Sequence, residues 1–383
     1  MKSSLPIAFL RSKKCLKIMK IIRLPLLLSF LFVLNACQRP ASKLQTGGSI
    51  VKEGFIDCFQ PGLQAAGREV WCEASAVLND GSTITIANDK DMPGTDASVF
   101  YWAYAEAGVF SSKPTYLTQN LFKTSQKYED FALTPDRKTA FLTTAFDRVK
   151  EGSTEWDSYN ALLYWPVNAD PTAIQPKAVH FAEGEKFSMG LRKALSKALR
   201  SADFPEGMPY FKVEGFAATN NKLFFGIREE GKKYDDFKYK AKVLTVSYRL
   251  EKDSLIAGTD FQTLADIDIT ALEPALPKPL ALSCLEFDAK RNIFWVLTSM
   301  ESETQLNSAY LWWATEAELK SGKLHLVKDR ATGQPLKFTH KAEDLTPIGS
   351  NRLFVIHDDD RNRTKIGDQT RQPHQAAYSI VEF

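Results

Sequence analysis

Five times along the chain the same phrase recurs: a short apolar strand, a turn rich in Asn, Asp, Gly or Lys, and a second strand ending in charged residues. The copies are CEASAVLNDGSTITIANDKD from Cys72, YEDFALTPDRKTAFLTTAFDR from Tyr128, VEGFAATNNKLFFGIREEG from Val213, LSCLEFDAKRNIFWVLTSMES from Leu282 and AEDLTPIGSNRLFVIHDDDR from Ala342. Such self-similarity confines the fold to a repeat architecture, because one hairpin cannot bury its own apolar faces. A third strand follows each pair: SVFYW at Ser98, ALLYW at Ala161, KVLTVSY at Lys242, AYLWW at Ala309 and AAYSIVEF at Ala376. A fourth follows in all but the last: TYLTQNLF at Thr115, AVHF at Ala178, LADIDI at Leu264 and LHLVKD at Leu324.

Four antiparallel strands per repeat make one propeller blade. The last repeat ends at Phe383 without its fourth strand, while SIVKEGFIDC, Ser49 to Cys58, precedes the first repeat unpaired. The expectation is an all-β, five-bladed β-propeller of four-stranded antiparallel blades over residues 49–383, closed by the N-terminal strand lying beside the C-terminal one. A six-bladed ring is the alternative, with the extra blade in the long step between the second and third repeats. That step holds EKFSMGLRKALSKALRSADF, Glu185 to Phe204. Leu191, Leu195 and Leu199 recur there every four residues, which predicts one inserted amphipathic helix, either packed on the propeller or serving as a lid or membrane contact.

Residues 1–36 carry seven Lys or Arg and no acid; the rest of the chain has 42 basic against 46 acidic residues, a balance of −4 that argues against nucleic acid as a partner. The basic segment leads into LPLLLSFLFVLNAC, Leu24 to Cys37. This run is short for a bilayer span and suits a secretory h-region. LNAC resembles the bacterial lipobox, which implies a signal peptide over residues 1–36 and a lipid on Cys37. Met19, followed by Lys20 and Arg23, is read as the start of that leader. Gln38 after the cysteine points to the outer membrane of a Gram-negative cell envelope. Residues 37–48 read as a polar tether, and the protein is expected to be monomeric. In an exported protein Cys58 and Cys72, 14 apart, form a reasonable disulfide pair, leaving Cys284 as a buried thiol. No cysteine or histidine spacing resembles a zinc site.

In a propeller the first strand of each blade is innermost, and its start shares a face with the end of the second strand. Alignment of the repeats places Glu73, Glu129, Glu214 and Glu343 at equivalent positions, with Ser283 in the fourth repeat and Glu286 three residues on. Two carboxylates about 4 Å apart repel by roughly 4 kcal/mol at an effective dielectric of 20. Carboxylates that converge on an axis therefore require a cation, protons or distance. Calcium, which takes oxygen ligands in flexible geometry, is one answer. The other is that each glutamate accepts backbone N–H bonds from the neighbouring blade. The second strands end on the same face with Asn88, Asp89 and Lys90; Asp147 and Arg148; Arg228 and Glu229; Glu301; and His357 to Arg361. Arg148, Arg228 and Arg361 could grip a phosphate or carboxylate, and Asp89 or one of Asp358 to Asp360 could act as general base.

The VEGFA and LFFGIRE phrases and AEDLTPIGSNRLFVIHDDDR resemble the bacterial esterase-like phytase and related phytase-like propellers, and more distantly the calcium-activated apyrases. The resemblance covers about residues 70–383. It implies five blades around a central calcium held by glutamates and serines at the starts of the inner strands, here Glu73, Glu129, Glu214, Ser283 and Glu343. The first repeat departs from the apyrase pattern, which has serine where this chain has Glu73. Two functions follow from these readings. One is calcium-dependent hydrolysis of a small phosphoester or phosphoanhydride. The other is a non-catalytic surface propeller binding a protein or glycan. The sequence has no nucleophile elbow, Walker loop or metal-binding His pair.

Overall fold

Strands that are apolar on both faces must be covered on both, and in the computed structural model neighbouring blades cover them. The structure describes residues 47–383 apart from 91, 95, 104–112, 182, 253 and 301–307; the leader, Cys37 and Glu301 lie outside the described residues. The first blade runs outward from Ala74–Asn79 through Thr83–Asn88 and Val99–Ala103 to Thr115–Tyr116. The second runs through Tyr128–Leu133, Thr139–Thr144, Leu162–Pro166 and Lys177–Ala178. The third contains Tyr210–Ala218, Lys222–Lys233 and Asp236–Glu251, with Ser254–Ala257 and Gln262–Asp266 both pairing against the last of these. The fourth contains Ala281–Asp288, Ile293–Ser299 and Ala309–Ala314, with His325–Leu326 at its edge.

The last blade is built from both ends of the chain. Ala342–Ile348, Arg352–His357 and Gln375–Glu382 are joined by Gly47–Asp57, paired antiparallel from Ser49 opposite Glu382 to Asp57 opposite Gln375. The closing strand starts at Gly47, two residues before the expected boundary, and Gly47 and Gly48 also pair in parallel with Lys328 and Asp329 of the preceding blade. This is a five-bladed propeller. The apolar core confirms the count, because it divides into five clusters, one at each interface between consecutive blades. The long second step holds a helix, Met189–Ala198, rather than a sixth sheet. Leu191, Leu195 and Leu199 of that region join the core between the second and third blades, and Arg192 lies over the Phe211 ring, its carbon 3.8 Å from the centroid. The helix is a packed element rather than a lid.

Cys58 and Cys72 are joined in a disulfide that ties the end of the closing strand to the start of the first blade. A loop of this size corresponds to about 3 kcal/mol of closure entropy in the unfolded chain. Reduction, or a Cys58→Ala/Cys72→Ala double substitution, is expected to lower the urea midpoint by a corresponding amount. An unchanged midpoint would show that the closing strand holds the ring without the bond.

Candidate functional site

A β-bulge adds one residue to a strand and re-aims the side chains beside it. Every inner strand of this propeller has one, at the same height. Pairing with the second strand skips between Ala74 and Ala76, Tyr128 and Asp130, Val213 and Gly215, Leu282 and Cys284, and Ala342 and Asp344. The extra residues are Ser75, Glu129, Glu214, Ser283 and Glu343. Four of these are the positions expected from the sequence, and the first corrects it: Ser75, not Glu73, occupies the ring. The two serines behave alike. Ser75 Oγ donates to the Tyr128 carbonyl at 2.5 Å and Ser283 Oγ to the Ala342 carbonyl at 3.0 Å, in each case the residue before the next blade's bulge.

Three layers follow from this register. Two residues before the bulge stand Glu73, Lys127, Lys212, Ala281 and Lys341; the bulge layer comes next; and one residue after it stand Ala76, Asp130, Gly215, Cys284 and Asp344. Glu73 therefore belongs with the lysines. It pairs with Lys90 at 3.0 Å and with Arg361 at 3.3 Å. Lys212 sits between two bulge glutamates, 3.5 Å from Glu129 and in close contact with Glu214. Lys341 pairs with Glu343 at 2.8 Å. The phrases KYE, KVE and KAE at residues 127, 212 and 341 carry this alternation in the sequence.

One ammonium serves two carboxylates, and the titration of Glu129 and Lys212 reflects it. Burial raises the Glu129 carboxyl well above its ordinary range; Lys212 opposes the shift and Glu214 adds to it. Burial would lower Lys212, but Glu129 and Glu214 together push it up. Glu343 is raised to about 7, chiefly by burial, with Lys341 opposing. Asp147 is the contrasting case. Burial works against its charge, yet Lys127 at 2.8 Å and Arg148 at 3.0 Å hold its pKa down at about 2.

The expected backbone stitching exists, but one layer below the glutamates. Asp130 Oδ2 accepts from Phe216 N at 2.7 Å and Leu285 N at 3.2 Å, and Asp344 Oδ2 accepts from Val77 N at 2.7 Å. These bonds tie the second blade to the third and fourth, and the fifth to the first. Gly215 allows this close approach, since a Cβ there would stand 2.7 Å from Leu282 Cδ2 and 3.1 Å from Leu285 N. Glu286 lies further along the inner strand, at the channel's opposite end, in a cavity shared with Arg137.

The other expected site residues divide by exposure. Arg361 is 65% exposed and Arg148 33% exposed, so both guanidiniums can meet a ligand. Arg228 has no exposed surface and corrects the expectation that it grips substrate. It donates to the Leu282 carbonyl at 3.2 Å and Ser299 Oγ at 3.0 Å and pairs with Glu214 at 3.2 Å, clamping the third blade to the fourth. Asp89 is tied to Lys90 at 2.5 Å. Asp358 is buried, which pushes its carboxyl well above the usual range; Lys341 opposes, while Asp360 and Glu73 add to the shift. Asp359 is structural: His340 Nδ1 lies 2.6 Å from it, and Thr364 Oγ1 and Lys341 N donate to it at 2.7 and 3.1 Å. Arg371, also fully buried, was missed by sequence reasoning; it holds this loop through the carbonyls of Cys72, Asp360 and Asn362. Beside the funnel, Arg148, Trp156, Tyr210, Lys232 and Tyr234 line a cavity of about 570 Å³.

No family model matches the chain, and no curated protein matches it. Among solved structures it is similar to the exo-β-1,3-galactanase of Phanerochaete chrysosporium, at 12% identity over 85% of this chain and 64% of that one, with a TM-score of 0.38. It is similar also to the α-L-arabinanase of Penicillium chrysogenum, at 9% identity over 86% and 97% of the two chains, with a TM-score of 0.37.

Lys212→Met would leave Glu129 and Glu214 buried around a missing cation. The expected cost is about 3–5 kcal/mol in urea unfolding with chelator present. Asp147 gives a pH signature. Its folded pKa lies below the unfolded value, so its contribution is complete above about pH 4 and is lost as pH falls toward 2. Asp147→Asn is therefore expected to be about 2 kcal/mol less stable than wild type at pH 7, with the difference shrinking as pH falls through 2 and vanishing below it.

Proposed function

We propose that this chain is an exported, lipid-anchored propeller of the cell envelope that hydrolyses a small phosphoester or phosphoanhydride at its axial funnel, with calcium at the bulge ring. The observation that carries the reading is the fivefold bulge, which sets Ser75, Glu129, Glu214, Ser283 and Glu343 in one layer. With Ser75 in the first position, the departure from the serine-and-glutamate pattern of the apyrases disappears. Three carboxylates and two hydroxyls are hard donors of the kind calcium takes. Glu129 Oε1 and Glu214 Oε2 are buried and meet ion-pair partners without hydrogen-bond geometry, Lys212 at 3.5 Å and Arg228 at 3.2 Å, and both serine hydroxyls use their protons on carbonyls, which leaves oxygen lone pairs to ligate.

A bound calcium would supply Lewis-acid polarisation of a phosphoryl oxygen. The chain's own residues do the rest. Arg361 and Arg148, on the exposed face, bind and orient an anion. Asp358, whose burial favours its protonated form, is the best placed group to hold and pass on a proton. The cavity beside Arg148 is large enough for the rest of a small substrate. Lipidation at Cys37 keeps this activity at the membrane surface.

The second reading, a non-catalytic binding propeller, is favoured by one observation: Lys212, Lys341, Lys90 and Arg228 already neutralise the glutamates. Phosphate release from nucleotides and phytate, with calcium and with chelator, separates the two. The proposal expects calcium-dependent release, abolished by Glu214→Gln. It also expects the melting temperature to rise with calcium, since an ion at 100 times its dissociation constant adds about 2.7 kcal/mol. No release with either substrate class, together with a melting curve unmoved by chelator, would leave the binding reading.

A further inference from the structure

The layer below the bulge ring contains a pair of buried carboxyl groups with no cationic partner among the described residues. Asp130, Cys284 and Asp344 come from the second, fourth and fifth blades, are 0%, 0% and 1% exposed, and bring one donor atom each within 4.8 Å of the others. In the layers above, every glutamate has a lysine or arginine partner. Here, among the described residues, no cationic side chain forms an ion pair with either aspartate. Two buried carboxyl groups therefore face each other with main-chain N–H groups but no cationic side chain beside them, a costly arrangement for two charges unless a cation or a proton joins them.

The hydrogen bonds are distributed as in a ligand shell. Asp130 Oδ2 is held by Phe216 N and Leu285 N, while Asp130 Oδ1 is buried and has no hydrogen-bond partner. Asp344 Oδ2 is held by Val77 N; its Oδ1 accepts from Leu345 N at 2.6 Å and lies 3.1 Å from Cys284 Sγ. Oδ2 of each carboxylate is thus fixed by main-chain N–H groups of other blades, the role that outer-shell bonds play around metal-ligating carboxylates. Asp344 Oδ1 faces the thiol, from which it accepts a hydrogen bond, and Asp130 Oδ1 is the oxygen left without a hydrogen-bond partner. Ligands around a tetrahedral zinc stand roughly 3–4 Å apart, given Zn–S and Zn–O lengths of about 2.3 and 2.1 Å. The cluster needs little contraction to match.

We propose that Asp130, Cys284 and Asp344 form a second axial metal site, distinct from the bulge ring, that takes a borderline-soft divalent ion of the zinc type. The thiol decides the class, because calcium and magnesium prefer oxygen alone whereas zinc accepts thiolate and carboxylate together. Binding releases the thiol proton, leaving a thiolate and two carboxylates around the ion. The site would clamp three blades across the axis. No local spacing could reveal it, since its members are 154 and 60 residues apart in sequence.

The test uses the full chain produced in zinc-supplemented medium and dialysed without chelator. Elemental analysis should find about one zinc per chain, and Cys284→Ser and Asp130→Asn should each lower it roughly ten-fold or more. Glu214→Gln, which alters the bulge ring, should leave zinc unchanged, so failure of this inference and failure of the calcium reading are distinguishable. Replacement of zinc by cobalt should give a near-ultraviolet thiolate-to-metal charge-transfer band in the wild-type protein, a readout that does not depend on any variant folding. Absence of zinc together with absence of that band overturns the proposal and leaves a proton shared between the two aspartates. Zinc that persists in Cys284→Ser overturns it as well.

Discussion

Carboxylates buried on a common axis repel one another, and the propeller is organised around how that repulsion is met. Each inner strand enters the channel through a bulge, which aims one residue per blade at the axis. Lys212 and Lys341 stand two residues before their glutamates: Lys212 puts an ammonium between Glu129 and Glu214, and Lys341 pairs with Glu343. Arg228 completes the compensation from the second strand of the third blade, and Lys90 and Arg361 serve Glu73 above. One layer lower, Asp130 and Asp344 accept main-chain N–H groups of neighbouring blades and so convert charge into ring closure.

The outer structure holds this axis in place. Five apolar clusters fill the five interfaces between blades, so no blade is stable in isolation from its neighbours. The ring has a single seam, inside the last blade, where Gly47–Asp57 pairs along Gln375–Glu382. The Cys58–Cys72 bond lies directly after that strand and fastens it to the first blade. An error at the seam would misplace Ser75 relative to Glu343, so closure and site geometry are coupled.

The blades were legible because each strand pair carries short apolar runs around turn residues, and because the last repeat visibly lacked a strand that the N-terminus could supply. The bulge was not legible. An extra residue inside a strand leaves composition and length almost unchanged, and in CEASAV it moved the ring position from Glu73 to Ser75. A signal was nonetheless present. Val77 matches Phe131, Phe216, Leu285 and Leu345, and Ser75 stands two residues before it as the other ring residues do. Arg228 was misread for a different reason. The strands Lys222–Lys233 and Asp236–Glu251 run well past the length seen in the other blades, so a residue expected at a strand end lies in mid-strand and is buried. The axial aspartates escaped notice because their partners are main-chain atoms on other blades.

Function at the axis depends on which residues surround it and on whether a cation joins them. Crystals soaked with a lanthanide in place of calcium, measured at its absorption edge, locate such an ion directly. The expected result is an anomalous peak ringed by Ser75, Glu129, Glu214, Ser283 and Glu343, with Glu73 outside the shell. A peak bound by Glu73 would contradict the register; no peak, with Lys212 still seated between Glu129 and Glu214 and Lys341 against Glu343, would contradict the metal.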